Sequence, residues 1–122
     1  MKVLLVDDQE AIRKIGRLAL EAIGGHEVVE AADATAAIAL AGTAGPDVVL
    51  LDVMMPGRDG SEVLAALRSN PATATLPVVF LTARVQPQDR SRYLAEGAIG
   101  VIAKPFDPMT LAAQLLDILE AR

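Results

Sequence analysis

Short apolar runs recur along the chain at Val3-Leu4-Leu5-Val6, Val48-Val49-Leu50-Leu51 and Val78-Val79-Phe80-Leu81, with weaker ones at Val28-Val29 and Val101-Ile102-Ala103. Runs of this length, rich in Val, Ile and Leu, predict strands buried on both faces, since a half-exposed strand would alternate apolar with polar. Segments of helical period lie between them. In the first, Ala11, Ile15, Leu18 and Ala22 share one stripe and Arg13, Lys14, Arg17 and Glu21 fall opposite, as in an amphipathic helix whose apolar stripe packs inward. The second runs from about Asp33 to Ala41 and is nearly all Ala, Ile and Leu. The third begins at Asp59, an N-cap with a capping-box partner at Glu62, and continues with Val63, Leu64 and Leu67. The fourth starts near Pro87 and stops at Gly97; the fifth follows Asp107-Pro108 and carries Leu111, Leu115, Ile118 and Leu119. Five such βα units predict an α/β fold, a doubly wound parallel five-stranded sheet with helices on both faces and right-handed crossovers.

Composition narrows the picture. A chain of 122 residues without linkers, repeats or low-complexity runs reads as one domain, 1–122. Hydrophobic residues make up 52%, but 22 of them are Ala, so the core must be aliphatic and closely packed. The aromatics are Phe80, Tyr93 and Phe106, too few for a base-stacking platform or an aromatic cage. A net charge of -5 argues against a nucleic-acid binder held by phosphate contacts. The absence of Cys removes disulfides, thiolate zinc sites and Cys nucleophiles, and a lone His26 cannot supply a His cluster. The apolar start meets Asp7 and Asp8 at once, too early for a signal peptide or a membrane span, so a cytoplasmic protein is expected.

The strand ends carry the chemistry. Strand one runs into Asp7 and Asp8, strand three into Asp52, strand four into Thr82 and strand five into Lys104. In an open parallel sheet these ends share one edge, where ligands bind. Three close carboxylates repel one another unless a cation intervenes, and an all-oxygen set suits Mg²⁺, which keeps several waters and favours phosphate oxygens. Lys104 and Thr82 can meet anionic oxygens, so the edge is suited to a phosphoryl group with one carboxylate as acceptor. Taken singly, Asp8 could cap a helix, Asp52 form a turn, and Lys104 sit in solvent; four such placements at four strand ends are a poor accident.

In the motifs Val6-Asp7-Asp8, Leu51-Asp52-Val53-Met54-Met55-Pro56-Gly57-Arg58-Asp59-Gly60, Leu81-Thr82-Ala83, Gly97-Ala98 and Lys104-Pro105-Phe106, the chain resembles the receiver domain of bacterial two-component response regulators, of the chemotaxis-receiver type. The resemblance covers essentially the whole chain and implies the strand order 2-1-3-4-5. It implies Asp52 as phosphoacceptor. Mg²⁺ would be held directly by Asp8, through water by Asp7, and by Asp52 and the Met54 backbone carbonyl. Thr82 and Lys104 would bind the phosphoryl group, and Ala83 would leave room for the donor. The Lys104-Pro105 bond would be the family's cis peptide. Gly57 and Gly60 would shape the loop into helix three. The implied donor is a phosphohistidine on a histidine kinase or histidine phosphotransfer protein, docked on helix one, where Ile12 could be a contact residue. The implied output is a protein partner met through helix four, strand five and helix five. Nucleic acid and membrane are not expected partners, and no enzyme turnover beyond the domain's own phosphorylation and dephosphorylation is implied. Met54 and Arg84 fall where receivers tune phosphate lifetime.

One position departs from the family: three residues before Lys104, where an aromatic or His is usual, stands Val101. An aromatic rotamer switch is therefore absent, and the expected response to phosphorylation concentrates in residues 82–96. The alternative is that Val101 is simply a good strand residue. Among rival functions, a haloacid-dehalogenase-type phosphohydrolase wants an Asp two residues after its nucleophile, where Met54 stands. A flavodoxin-like nucleotide binder wants a glycine-rich loop, where Asp7-Asp8-Gln9-Glu10 stands. A stand-alone receiver and a receiver cut from a longer regulator both remain open.

Overall fold

The computed structural model describes residues 1–122. Five strands, β1 (Lys2–Val6), β2 (Glu27–Ala31), β3 (Val48–Asp52), β4 (Val78–Thr82) and β5 (Gly100–Ala103), alternate with helices α1 (Glu10–Leu18), α2 (Ala34–Thr43), α3 (Gly60–Ser69), α4 (Pro87–Glu96) and α5 (Leu111–Ala121). The chain continues from α1 through one π-helical turn, Ala19–Ile23, which buries Ala19 and Leu20. All strand pairs are parallel, in the order β2-β1-β3-β4-β5. The expected doubly wound α/β architecture is therefore observed.

The continuous apolar runs explain the layers. Along each strand, alternate residues point to opposite faces. Leu4, Val6, Val49, Leu51, Val78 and Phe80 pack under α2, α3 and α4, while Val3, Leu5, Val48, Leu50, Val79 and Leu81 pack under α1 and α5. All five residues of β3 and of β4 are buried. Truncating Leu50 to Ala in so dense a setting costs about 2–5 kcal/mol, because the cavity cannot collapse.

The caps follow the sequence closely at α2 and α3. Asp33 accepts from Ala36 N–H at 2.8 Å and Asp59 from Glu62 N–H at 3.0 Å. Glu62 does not complete the capping box; its carboxylate faces Arg58 at 4.0 Å. Helix α4 begins at Pro87 and stops at Gly97, whose φ of 112° lies in the left-handed region that side chains disfavour. Helix α5 begins later than Asp107-Pro108 suggests. Asp107 closes a separate turn, accepting from Met109 N–H through its carboxylate and from Thr110 and Leu111 N–H through its carbonyl.

The apolar stripe expected to pack α1 inward points outward. Leu18 is 66% exposed and Ile15 44%, with Ala11 and Ala22 also exposed. The inward face is Gly16, Ala19 and Leu20, with Ile12 half-buried. The physical reason is close approach: a Cβ on Gly16 would lie 2.9 Å from Leu5 Cδ2, so the bare glycine lets the helix backbone settle on β1. The opposite side is drawn onto β2 by charge. Arg13 and Arg17 both pair with Glu30, and Arg17 also donates to Val28 O.

Candidate functional site

Four of the five strands, β1, β3, β4 and β5, deliver a polar residue at the sheet's carboxyl edge, held in place by buried apolar residues and by strand register. Val6 pairs with Leu51 and Ala31, Asp52 with Leu81, and Thr82 with Ala103. The residues that follow β1 and end β3 therefore emerge side by side. The carboxylate oxygens of Asp7, Asp8 and Asp52 lie within 4.8 Å of one another. Asp7 is fully buried, Asp52 is 2% exposed, and Asp8 is exposed. Lys104 reaches in from the end of β5, with Nζ 2.6 Å from Asp7 Oδ2 and 3.4 Å from Asp52 Oδ2. The lysine thus stands nearer Asp7 than the carboxylate it was expected to contact.

The backbone fixes the carboxylates. Asp52 Oδ1 accepts from Met54 N–H at 3.1 Å, and Asp7 Oδ1 from Gln9 N–H at 2.9 Å. Gly60 lets α3 begin against the end of β3: a Cβ there would lie 2.8 Å from Asp52 O and from Val53 Cα. Its role is close approach, whereas Gly57, at φ 82°, supplies the left-handed turn. The Lys104–Pro105 peptide is cis.

Burial first, and the neighbouring Asp7 charge second, push the Asp52 carboxyl up to about 6, against the opposing pull of Lys104 and the Met54 N–H. Asp7 Oδ2 is buried and, although close to Lys104, has no aligned hydrogen bond. A crowded, under-satisfied set of carboxylate oxygens open on the Asp8 side fits a small oxygen-loving dication that keeps part of its water shell. The donor set therefore fits Mg²⁺.

Thr82 is buried at the end of β4, its hydroxyl accepting from Arg84 N–H at 3.0 Å, and no hydrogen bond joins it to the carboxylates. Ala83 is exposed and lines an apolar groove of about 350 Å³ with Ile12, Ile15, Lys104, Pro105, Phe106 and Pro108. Met54 is 60% exposed beside the cluster. Val101 is buried in the aliphatic core that also holds Phe80 and Tyr93. His26 lies outside the site, its Nδ1 3.3 Å from the amino terminus; burial first and that positive charge second lower its pKa.

Arg13 escaped the sequence reading, which put it on a solvated helix face. It is 15% exposed and donates to Asp7 O at 2.8 Å. Helical period alone could not find it, because the period misassigned the buried face of α1.

A doubly wound parallel sheet in the order 2-1-3-4-5, with three carboxylates and a lysine at its carboxyl edge, is a flavodoxin-like fold. The sequence signature of the response regulator receiver domain matches residues 3–116. The phosphate regulon transcriptional regulatory protein PhoB of Escherichia coli (strain K12) is 37% identical over 118 residues, which are 97% of this chain and 51% of that protein. The response regulator PleD of Caulobacter vibrioides (strain NA1000 / CB15N) is 40% identical over 114 residues, 93% of this chain and 25% of that protein. The chemotaxis response regulator CheY4 of Vibrio cholerae superposes with a TM-score of 0.88 at 38% identity, covering 96% of this chain and 97% of that one. The chain belongs to the response regulator receiver domain family, the receivers of two-component signal transduction. It spans about half the length of PhoB and a quarter of PleD. No helix is long and apolar enough to cross a membrane.

Proposed function

We propose that the chain is a single receiver domain, 1–122, that takes a phosphoryl group from a phosphohistidine onto Asp52. One observation carries this reading: a nearly fully buried carboxylate, Asp52, is held among two further carboxylates and a lysine at the sheet edge. A carboxylate oxygen of Asp52 attacks the phosphorus in line, the N–P bond of the donor breaks, and the released imidazole nitrogen takes up a proton. Asp7, Asp8, Asp52 and the Met54 carbonyl would hold Mg²⁺, which supplies neutralisation of charge on the transferring oxygens. Lys104 adds its ammonium on the other side, and the Thr82 hydroxyl turns its proton toward the bound group. Ala83, small and exposed, would leave room for the incoming donor.

The donor is a histidine kinase or phosphotransfer protein. The exposed Ile15 and Leu18 on α1 and the adjoining groove floored by Phe106 offer an apolar surface beside Lys104 on which it can dock. On this reading Asp52 serves the domain's own phosphorylation and dephosphorylation, with no turnover of an external substrate. Phosphorylation shifts residues 82–96, while Val101 keeps its place, and an output protein reads the α4–β5–α5 face.

The test is labelling with acetyl phosphate or phosphoramidate in the presence of Mg²⁺, followed by mapping of the modified residue. The wild-type chain is expected to label at Asp52, and Asp52→Asn to lose the label. Labelling of Asp52→Asn at the wild-type level would overturn the assignment.

A further inference from the structure

We infer that Arg13 is a positioning residue for the metal-binding carboxylates, acting through the Asp7 backbone. The inference rests on the phosphoacceptor reading and adds to it a residue outside the strand-end set.

Asp7 is tied at nearly every polar atom. Its N–H donates to Ala31 O at 3.1 Å, and its Oδ1 accepts from Gln9 N–H. Its carbonyl oxygen accepts from Arg13 Nη1 at 2.8 Å. That carbonyl is one end of the Asp7–Asp8 peptide plane. Asp8 is exposed and its carboxylate takes no hydrogen bond, so the plane is what holds the backbone from which it projects. Fixing the carbonyl therefore fixes the base from which Asp8 presents its oxygens.

Arg13 suits this role because its guanidinium is braced on a second side. Nε donates to Glu30 Oε1 at 3.2 Å, on β2. A planar fork can hold a carbonyl with one edge and a carboxylate with another, which a lysine ammonium on a flexible stem cannot reproduce. Arg13 also brings a positive charge toward a cation site, which by itself would weaken metal binding. Glu30 pairs that charge, so geometry is the effect that remains. Arg17 is the internal control. It pairs with the same Glu30 and carries the same charge, but its other contacts are Glu21 and Val28 O, none in the acidic cluster.

The experiment titrates Mg²⁺ into the unphosphorylated chain and its variants. Binding is followed by the amide resonances of residues 7–9 and 52–54, with urea unfolding in parallel. Arg13→Ala is expected to weaken Mg²⁺ binding about tenfold, the lower end of what loss of an outer-shell partner costs a metal site. Arg17→Ala is expected to lose comparable stability and to bind within about twofold of wild type, since it touches no group around the ligands. Arg13→Lys keeps the charge and the fold but cannot span both partners; it is expected to lose at least about threefold. Wild-type affinity in a folded Arg13→Ala or Arg13→Lys, or an equal loss in Arg17→Ala, overturns the inference alone. A wild-type chain that binds no Mg²⁺ overturns the phosphoacceptor reading together with it.

Discussion

Helices α1 and α4 flank the same carboxyl edge from opposite faces of the sheet and are held to it in opposite ways. Helix α1 is fastened by charge and close approach. Gly16 settles on Leu5, Arg13 and Arg17 converge on Glu30, and its large apolar side chains Ile15 and Leu18 are left outside. Helix α4 is polar nearly all round and buries one residue, Tyr93. That ring stands edge-on to Phe80, centroids 5.1 Å apart, with Arg92 over its face. Its hydroxyl is buried without a partner. The C-terminal end of α4 is tied down as well: Arg68 donates to Gly97 O at 3.1 Å and Ser61 to Glu96 at 2.6 Å. The half nearest Thr82 has only Arg90 bonded back to Val85 O, within its own segment. The difference lies in where each is held. Helix α1 is held along the side that faces the carboxylates, whereas the side-chain bonds that fasten α4 to other elements lie at its C-terminal end, away from Thr82.

The sharpest way to break this contrast is Tyr93→Ala. Removing the one buried side chain of α4 is expected to cost about 3–5 kcal/mol, within the range for large aromatic truncations, read by urea unfolding. Tyr93→Phe separates ring from hydroxyl. It keeps the edge-on packing and discards an unsatisfied buried group, so a gain of about 1 kcal/mol is expected. A loss in Tyr93→Phe would mean that the hydroxyl has a partner and that α4 is more firmly held than the contrast requires.

The carboxylate between the two helices gives a smaller effect with a definite pH dependence. The Asp52 carboxyl is pushed up to about 6 from its ordinary 3.8, so the folded chain binds this proton more tightly than the unfolded chain. The stability it contributes is complete below about pH 4 and is lost as pH rises through about 6. Asp52→Asn escapes that loss. It is expected to match wild type near pH 4 and to exceed it by about 2–3 kcal/mol at neutral pH without metal. Added Mg²⁺ should close the gap. Parallel curves across the whole range would show that Asp52 is not held in a crowded, dry setting.

The smallest effect tests the outward stripe of α1. Leu18→Gln is expected to change stability by less than about 0.5 kcal/mol, since exposed positions away from special contacts rarely matter more. Under the proposed docking it should nonetheless slow phosphoryl transfer from a protein donor while leaving transfer from acetyl phosphate unchanged. A destabilisation of core size would show that Leu18 is covered after all.

The strands and the set of strand-end residues were legible because both are local. A strand buried on two faces has to be continuously apolar, so Val48 to Leu51 and Val78 to Leu81 announce themselves. Asp7, Asp52, Thr82 and Lys104 stand out because each interrupts such a run or follows it directly. The cap at Asp59 is local too, an acceptor reaching a donor three residues on.

What tertiary structure alone decided are the choices between two acceptable burials. In α1 the period-matched apolar stripe competed with a small-residue face. Close packing against Leu5 through Gly16, together with guanidinium pairing to Glu30 on a strand distant in sequence, selected the latter. The same choice turned Arg13 from a solvated charge into a neighbour of the Asp7 carbonyl. Strand five lacks an aromatic by its sequence, but only the packing of α4 puts Tyr93 into the core that Val101 and Phe80 share. The raised proton affinity of Asp52 has the same origin. An aspartate has its ordinary affinity in an open chain; it is burial, and then Asp7 brought alongside by strand pairing, that changes it.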